Sequence, residues 1–304
     1  MKISLVVPCY NEEGNVAPFY KEAVSVFGGS GYDFEIVYVN DGSTDGTLDV
    51  LKKLATGPAA VKVIDFSRNF GKEAAVLAGL NHADGDYVTV IDADLQQHPA
   101  IALQMVKRLE ANPEIDCVAA YQEERTDSKV LSLFKKAFYA LINGMSETEF
   151  RQGASDFRTF RRPMVDAIIG MKEYHRFSKG IFSWVGFRTE YMAYTADKRM
   201  EGESKWSFSK LFRYAVDGIE AFSTFPLRLP LILGVVFIIL SLPLFIIFAA
   251  GEGKTEIAVI FFVGGVILAC LGILGEYLAK VYVQAKDRPV YIVRQVINNR
   301  RADK

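Results

Sequence analysis

Two acids and an amide recur at alternate positions in Asp92-Ala93-Asp94-Leu95-Gln96. In extended chain, residues i, i+2 and i+4 share a face. Two carboxylates and an amide oxygen are therefore expected to converge, a hard-oxygen set suited to Mg²⁺ or Mn²⁺ with phosphate oxygens completing the shell. A DxD alone is a weak signal; here it ends the apolar run Tyr87–Ile91, which strengthens the metal reading. A second polar cluster, VNDGSTDGT, follows another apolar run. Ser43 or Thr44 is expected to cap a helix, and Asp45 to complement its dipole. That leaves Asp41, at a strand end beside Gly42, where a missing side chain lets a ligand approach the backbone. A carboxylate there suits the N–H of a uracil ring. Arg68 and Lys72, in SRNFGKE, read equally well as a solvated basic loop or as phosphate partners.

The elements that must position these residues alternate. Apolar, β-branched runs at Ile3–Pro8, Phe34–Val39, Val61–Phe66, Tyr87–Ile91 and Ile115–Ala120 flank helix-period segments near Asn15–Phe27, Thr44–Leu54, Lys72–His82 and Pro99–Ala111. Unbroken apolar strands separated by helices predict an α/β fold with a mainly parallel sheet covered on both faces. Ligands in such sheets bind beyond the carboxyl ends of the strands. Tyr10-Asn11-Glu12, Asn40-Asp41, Ser67-Arg68-Asn69 and Asp92-Ala93-Asp94 all fall there. No GxGxxG follows the first strand, which disfavours a dinucleotide site.

Of the 304 residues 50% are hydrophobic, and the mean hydropathy of +0.15 is high for a soluble chain. The net charge of −1 argues against a nucleic-acid partner. Cys9, Cys117 and Cys270 lie too far apart for a disulfide framework or a zinc site. The apolar excess is concentrated near the end. Residues 229–251 give about 23 uncharged positions and Ile257–Gly275 roughly 19, each enough to cross a bilayer. Lys205, Lys210, Arg213 and Arg228 precede the pair, Lys280, Lys286, Arg288, Arg294, Arg300 and Arg301 follow it, and only Lys254 lies between. The excess of basic residues on these flanks places both ends in the cytoplasm. Phe208, Leu211, Phe212, Ala215, Val216, Ile219 and Phe222 form an apolar stripe at helical spacing, read as an interfacial helix. The expected layout is a catalytic domain over 1–207, a juxtamembrane helix over 208–227, two transmembrane helices within 228–282 with an external loop near 251–256, and a cytoplasmic basic tail over 283–304. The chain is thus expected in the cytoplasmic (inner) membrane, multi-pass.

The motifs VPCYNEE, NDGSTDGT, RNFGKEAA, IDADLQ, GASDFRTFRR and RMEGESKWS occur in the order found in family 2 glycosyltransferases of GT-A fold. The paired spans and the tail GEYLAKVYVQAKDRPVYIV resemble the bacterial polyprenyl-phosphate glycosyltransferases, relatives of the dolichyl-phosphate mannose synthases. The resemblance implies an inverting transfer of a sugar from a nucleotide-sugar donor, a UDP-sugar and best of all UDP-glucose, onto polyprenyl phosphate at the cytoplasmic membrane face by a metal-dependent homo-oligomer. Pro8, Tyr10, Glu12 and Asp41 would hold base and ribose, with Asp92, Arg68 and Lys72 also on the donor. Asp92, Asp94 and Gln96 would bind the metal, and Asp94 and Asp156 would be catalytic. Asp156 would be the base, although a phosphate monoester, with its second pKa near 6, is mostly dianionic at pH 7 and asks little of one. Arg199, Ser204 and Lys205, in a polar Gly- and Ser-containing loop, would close on phosphate. The family commonly has an acid after the DxD glutamine where this chain has Gln97, and His98 is read as an exposed loop residue rather than a ligand.

Overall fold

A computed structural model describes residues 1–122, 154–194 and 256–299, with isolated positions 230, 233, 234 and 236. The chain alternates β1 (Lys2–Cys9), α1 (Glu13–Phe27), β2 (Asp33–Asn40), α2 (Thr47–Leu54), β3 (Ala60–Phe66), α3 (Lys72–His82), β4 (Tyr87–Val90) and α4 (Pro99–Ala111). Then come β5 (Cys117–Gln122), β6 (Ala154–Arg161), α5 (Arg162–Gly170), α6 (Ser178–Trp184), β7 (Thr189–Tyr194), α7 (Glu256–Ala285) and β8 (Val293–Asn298). The four early helices and five early strands lie where the hydrophobic pattern puts them. The strands β6, β7 and β8 were not foreseen.

One eight-stranded sheet runs β7-β5-β6-β4-β1-β2-β3-β8. Strands β1 to β4 are mutually parallel, while β6 and β8 run antiparallel to β4 and β3. Order β3-β2-β1-β4 means the chain winds outward one way from β1 and then the other, and the crevice between the carboxyl ends of β1 and β4 is the switch point where ligands sit. Each face of the sheet carries its own core. Val16, Phe19 and Phe27 of α1, Leu51 of α2 and Met105 and Leu109 of α4 close one side. Ala74 to Leu80 of α3, Met164 and Ile168 of α5 and Phe182 of α6 close the other. The middle of helix α3, residues 74–80, is all Ala, Gly, Val and Leu because it lies hard against β1: a Cβ on Gly79 would come within 2.1 Å of Val6 Cγ1.

Helix α7 has 30 residues, about 45 Å of rise. Within it Phe262–Ala285 is long and apolar enough to cross a membrane, and none of that window is buried within the chain. The helix therefore runs past Gly275, where the uncharged run ends, through Glu276 and Lys280, and past the expected bound at 282 to Ala285. The first expected span, the juxtamembrane stripe and the loop near 251–256 fall outside the described residues, apart from the isolated positions in the span. After α7 the chain returns to the soluble sheet. Strand β8 pairs with β3 from Lys62↔Asn298 to Phe66↔Val293, and Ser67 N donates to Ile292 O at 3.0 Å. Residues 293–298, expected as basic tail, are thus an edge strand of the sheet.

The loops at the carboxyl ends of β1 and β2 are knitted together. Thr44 N donates to Asn11 Oδ1 (2.8 Å), Asn11 N to Ser43 Oγ (3.0 Å) and Glu12 N to Thr47 Oγ1 (2.9 Å). Ser43 and Thr44 therefore tie one loop to the next instead of capping α2, and Asp45 Oδ1 takes the Thr47 N–H at 3.0 Å. Gly42 sits at φ 62°, and its Cβ position is filled by another backbone: Arg68 C at 2.4 Å and Asn69 N at 2.5 Å. The neighbour that demands glycine is thus the β3–α3 loop, not a ligand. Gly42→Ala should combine a left-handed alanine, about 1–2 kcal/mol, with displacement of that loop. A melting temperature about 5 °C lower in detergent is expected; an unchanged one would refute this packing.

Candidate active site

The β3–α3 loop is held by a buried carboxylate. Asp41, 3% exposed, accepts from Phe70 N at 2.6 Å and Gly71 N at 3.0 Å. Burial pushes its carboxyl above the ordinary range even against these two amides. Gly71 then turns at φ 96° and Lys72 opens α3. The Lys72 ammonium meets Asp92 Oδ1 at 2.7 Å and Asp156 Oδ2 at 3.7 Å. The two carboxylates meet for a reason of register. Strands β4 and β6 pair Tyr87↔Arg161 through Val90↔Arg158, and the same register continued two residues sets Asp156 across from Asp92.

The electrostatics follow from this triad. Desolvation works to lower the Lys72 pKa, but Asp92 and Asp156 outweigh it and hold the ammonium above its ordinary value. Desolvation likewise works to raise Asp156, and the charges of Lys72, Lys179 and Arg158 outweigh it, holding the carboxyl below the usual range. Asp156 is an ionised carboxylate whose Oδ1 is buried with no hydrogen-bond partner among the described residues. Beside it Glu73 goes the other way. Burial, then the Asp156 charge, raise it to about 7, although Ser178 donates its N–H at 2.8 Å and its hydroxyl to Oε2.

The acidic turn after β4 differs from the extended geometry expected of it. Leu95 is left-handed, φ 59°, and Asp94 Oδ1 accepts from Gln96 N at 3.1 Å, so the chain turns between the ligands rather than aligning them on one strand face. The physical reason is that β4 ends at Val90, after which no ladder keeps the chain extended. The donor chemistry still suits a hard cation: two carboxylates and an amide oxygen within five residues, with no thiolate or imidazole among them. No group of three or more His, Cys, Asp and Glu gathers among the described residues. Gln97, 8% exposed, brackets Asp92: its Oε1 accepts Asp92 N at 3.0 Å and its Nε2 reaches Asp92 Oδ2 at 3.4 Å. An acid at this position could make only the first contact. His98 is no idle loop residue: its Nδ1 accepts Ala100 N at 3.1 Å as the cap of α4, and Nε2 faces Glu22 at 3.2 Å.

A cavity of about 820 Å³ opens over the triad. Of the residues singled out in the sequence it gathers Arg68, Lys72, Asp92 and Asp156. Pro8, Tyr10, Glu12, Asp41, Asp94 and Gln96 do not line it, although they lie in the loops at the same end of the sheet. Arg199, Ser204 and Lys205 fall outside the described residues. The cavity also takes Gln97, marked in the sequence only as a departure from the family, and Glu73, Arg176, Lys179 and Val290, which the sequence reading passed over. Glu73 adjoins Lys72 in a quoted motif, and the run KEYHRFSKG is basic and aromatic, so both carried some signal.

A doubly wound sheet that brings acids and bases from the loops after β3 and β4, from β6 and from the α5–α6 segment to one cavity is the architecture of enzymes that handle phosphate-bearing ligands. The chain belongs to glycosyl transferase family 2, whose model matches residues 4–169, and its α/β fold is GT-A-like. It is a glycosyltransferase. It is 41% identical over 302 residues to the protein CsbB of Bacillus subtilis (strain 168), covering 96% of this chain and 91% of that one. It is 38% identical to the prophage bactoprenol glucosyl transferase homolog of Escherichia coli (strain K12), over 97% and 99% of the two chains. To the SfII prophage-derived bactoprenol glucosyl transferase of Shigella flexneri it is 37% identical, over 97% and 98%.

The position of Glu73 has a measurable sign. With a folded pKa of about 7 against an ordinary 4.5, its contribution to stability is fully present below about pH 4.5 and lost as pH rises through 7. The melting temperature of the wild type relative to Glu73→Gln should therefore fall between pH 4.5 and 8. A pH-independent difference would show that Glu73 titrates normally.

Proposed function

We propose that the protein transfers glucose from UDP-glucose to the phosphate of a polyprenyl phosphate at the cytoplasmic membrane face, with inversion at C1. The observation that carries the reading is the extent of the likeness to bactoprenol glucosyl transferases. It takes in 97% of this chain, so it includes the apolar helix α7 and the strand β8 that follows it. The triad supports the same chemistry. An acceptor phosphate must approach an ionised Asp156, and Lys72 offsets the charge that would repel it.

In this reading Asp92, Asp94 and Gln96 would hold a divalent cation, Mg²⁺ or Mn²⁺, which would supply Lewis acidity at the diphosphate. Arg68 and Lys72, both lining the cavity, hold the diphosphate in this reading, and Gln97 keeps the Asp92 carboxylate aimed. Pro8, Tyr10, Glu12 and Asp41 serve the base and ribose, Asp41 by fixing the loop that carries Lys72. Asp156 orients the acceptor. One phosphate oxygen attacks C1, the bond from C1 to the diphosphate oxygen breaks, and its electron pair leaves on the nucleoside diphosphate. Arg199, Ser204 and Lys205 close on phosphate, and the enzyme works as a membrane-bound homo-oligomer with both termini in the cytoplasm.

Incubating the full-length protein in membranes with polyprenyl phosphate and a panel of labelled nucleotide sugars tests the assignment. Label from UDP-glucose should enter the lipid fraction, vanish in excess chelator and return on adding Mn²⁺ or Mg²⁺. Label from another donor alone would overturn glucose, and an unlabelled lipid fraction would overturn the acceptor. For orientation, with Cys270 replaced by serine, Gly253→Cys should react with an impermeant thiol reagent from outside the cell and Arg288→Cys should not. The reverse pattern would put the catalytic domain on the other side.

A further inference from the structure

Arg68, Lys72, Arg176 and Lys179 are the Arg and Lys side chains lining the cavity among the described residues, and three of them are committed. Arg68 donates to Asn69 O and lies over the Phe70 ring at 4.3 Å. Lys72 bridges Asp92 and Asp156. Arg176, 9% exposed, donates to Met171 O at 2.7 Å and Ile168 O at 3.2 Å, closing the end of α5. The Lys179 ammonium has neither a hydrogen-bond nor an ion-pair partner among the described residues. Its charge is nevertheless one of those felt by Asp156. Its place is fixed from behind: Glu73 holds both the N–H and the hydroxyl of Ser178, the residue immediately before it. The cavity is thus lined by an uncommitted cation and by Asp156, whose buried oxygen Oδ1 lacks a donor among the described residues.

A ligand that satisfies both must offer an anionic oxygen to the ammonium and a hydroxyl to the carboxylate. A terminal phosphate monoester does so as its monoanion, the form that predominates below a second pKa near 6 and is the lesser form at pH 7. The diphosphate of a nucleotide sugar does not: each phosphorus is substituted on both sides, and its free oxygens only accept in the neutral range. We propose that Lys179 is a further phosphate-holding residue of the reaction, gripping the terminal phosphate of the acceptor while Asp156 Oδ1 takes the hydrogen bond from that phosphate's hydroxyl. Glu73, through Ser178, is a positioning residue for this grip. The proposal rests on the polyprenyl-phosphate reading and adds to it a subsite on α6.

The test compares full-length wild type, Lys179→Met and Lys179→Arg in detergent. KM for polyprenyl phosphate is measured at saturating donor, and UDP affinity by calorimetry in Mn²⁺. A charge-assisted hydrogen bond lost at this position corresponds to about a tenfold or larger rise in lipid KM. Lys179→Met should show that rise with UDP affinity unchanged, and Lys179→Arg should stay within about threefold of wild type. Ser178→Ala should raise the same KM without touching UDP binding. An unchanged lipid KM in Lys179→Met overturns the subsite, and parallel weakening of UDP binding moves Lys179 to the donor and overturns it too. A binding readout separates this inference from the one beneath it. Farnesyl phosphate, but not farnesol, should raise the melting temperature of the wild type and fail to do so for Lys179→Met. That pattern with no sugar transferred from any donor would leave the subsite standing and the proposed transfer refuted. Sugar transfer with equal kinetics in both proteins would do the opposite.

Discussion

An ammonium between two carboxylates organises this protein's working end. Strand register carries Asp92 and Asp156 to one ammonium, and two like charges repel by at most about 4 kcal/mol at 4 Å and an effective dielectric of 20. Lys72 offsets that repulsion. Its side chain is 43% exposed, so solvent shares the work and the net stabilisation is far smaller than the Coulomb figure. The larger effect is on order. Lys72 must stand at the first position of α3, which needs Gly71 left-handed, which needs Asp41 on the Phe70 and Gly71 amides, which needs Gly42 to let the two loops touch. Each requirement is local, and together they couple three strand ends through one side chain.

The same chain of requirements explains what the sequence could show. Unbroken apolar runs mark buried parallel strands, so β1 to β5 and α1 to α4 were readable, and strand ends then located Asp41, Arg68, Lys72 and Asp92. Strand β6 was hidden because ASDFRTFR interleaves charge with aromatics, although Arg158 is only 2% exposed, beneath the Phe182 ring. Strand β8 alternates half-buried and exposed positions, the signature of an edge, and its Arg294 reads as part of a basic tail. The one-face argument for Asp92, Asp94 and Gln96 assumed extended chain where a turn begins. Glu73 and Ser178 are separated by 105 positions, and nothing in local spacing announces such a pair.

Asp41 shows how a motif residue can serve a site without facing it. Its carboxylate is committed to backbone amides and does not line the cavity, yet the cation at the centre of that cavity depends on it. Gln97 acts similarly on Asp92, with an amide where the family commonly has an acid. Because an amide both donates and accepts, it contacts the backbone and the side chain of the same aspartate, a pair of contacts a carboxylate cannot make.

The return of the chain to the sheet after α7 bears on how the protein is made. Asn299 accepts from Val61 N across 238 positions, and β8 closes the β3 edge only after the apolar helix has been synthesised. Domains generally fold as units from the N-terminus during synthesis, but here the sheet must wait with β3 open while some two hundred further residues emerge. An unpaired strand edge is a template for wrong partners. Completion of the sheet and synthesis of the apolar helix are therefore one event, and a chain cut before β8 to make it more tractable would leave the ribosome with its sheet unfinished.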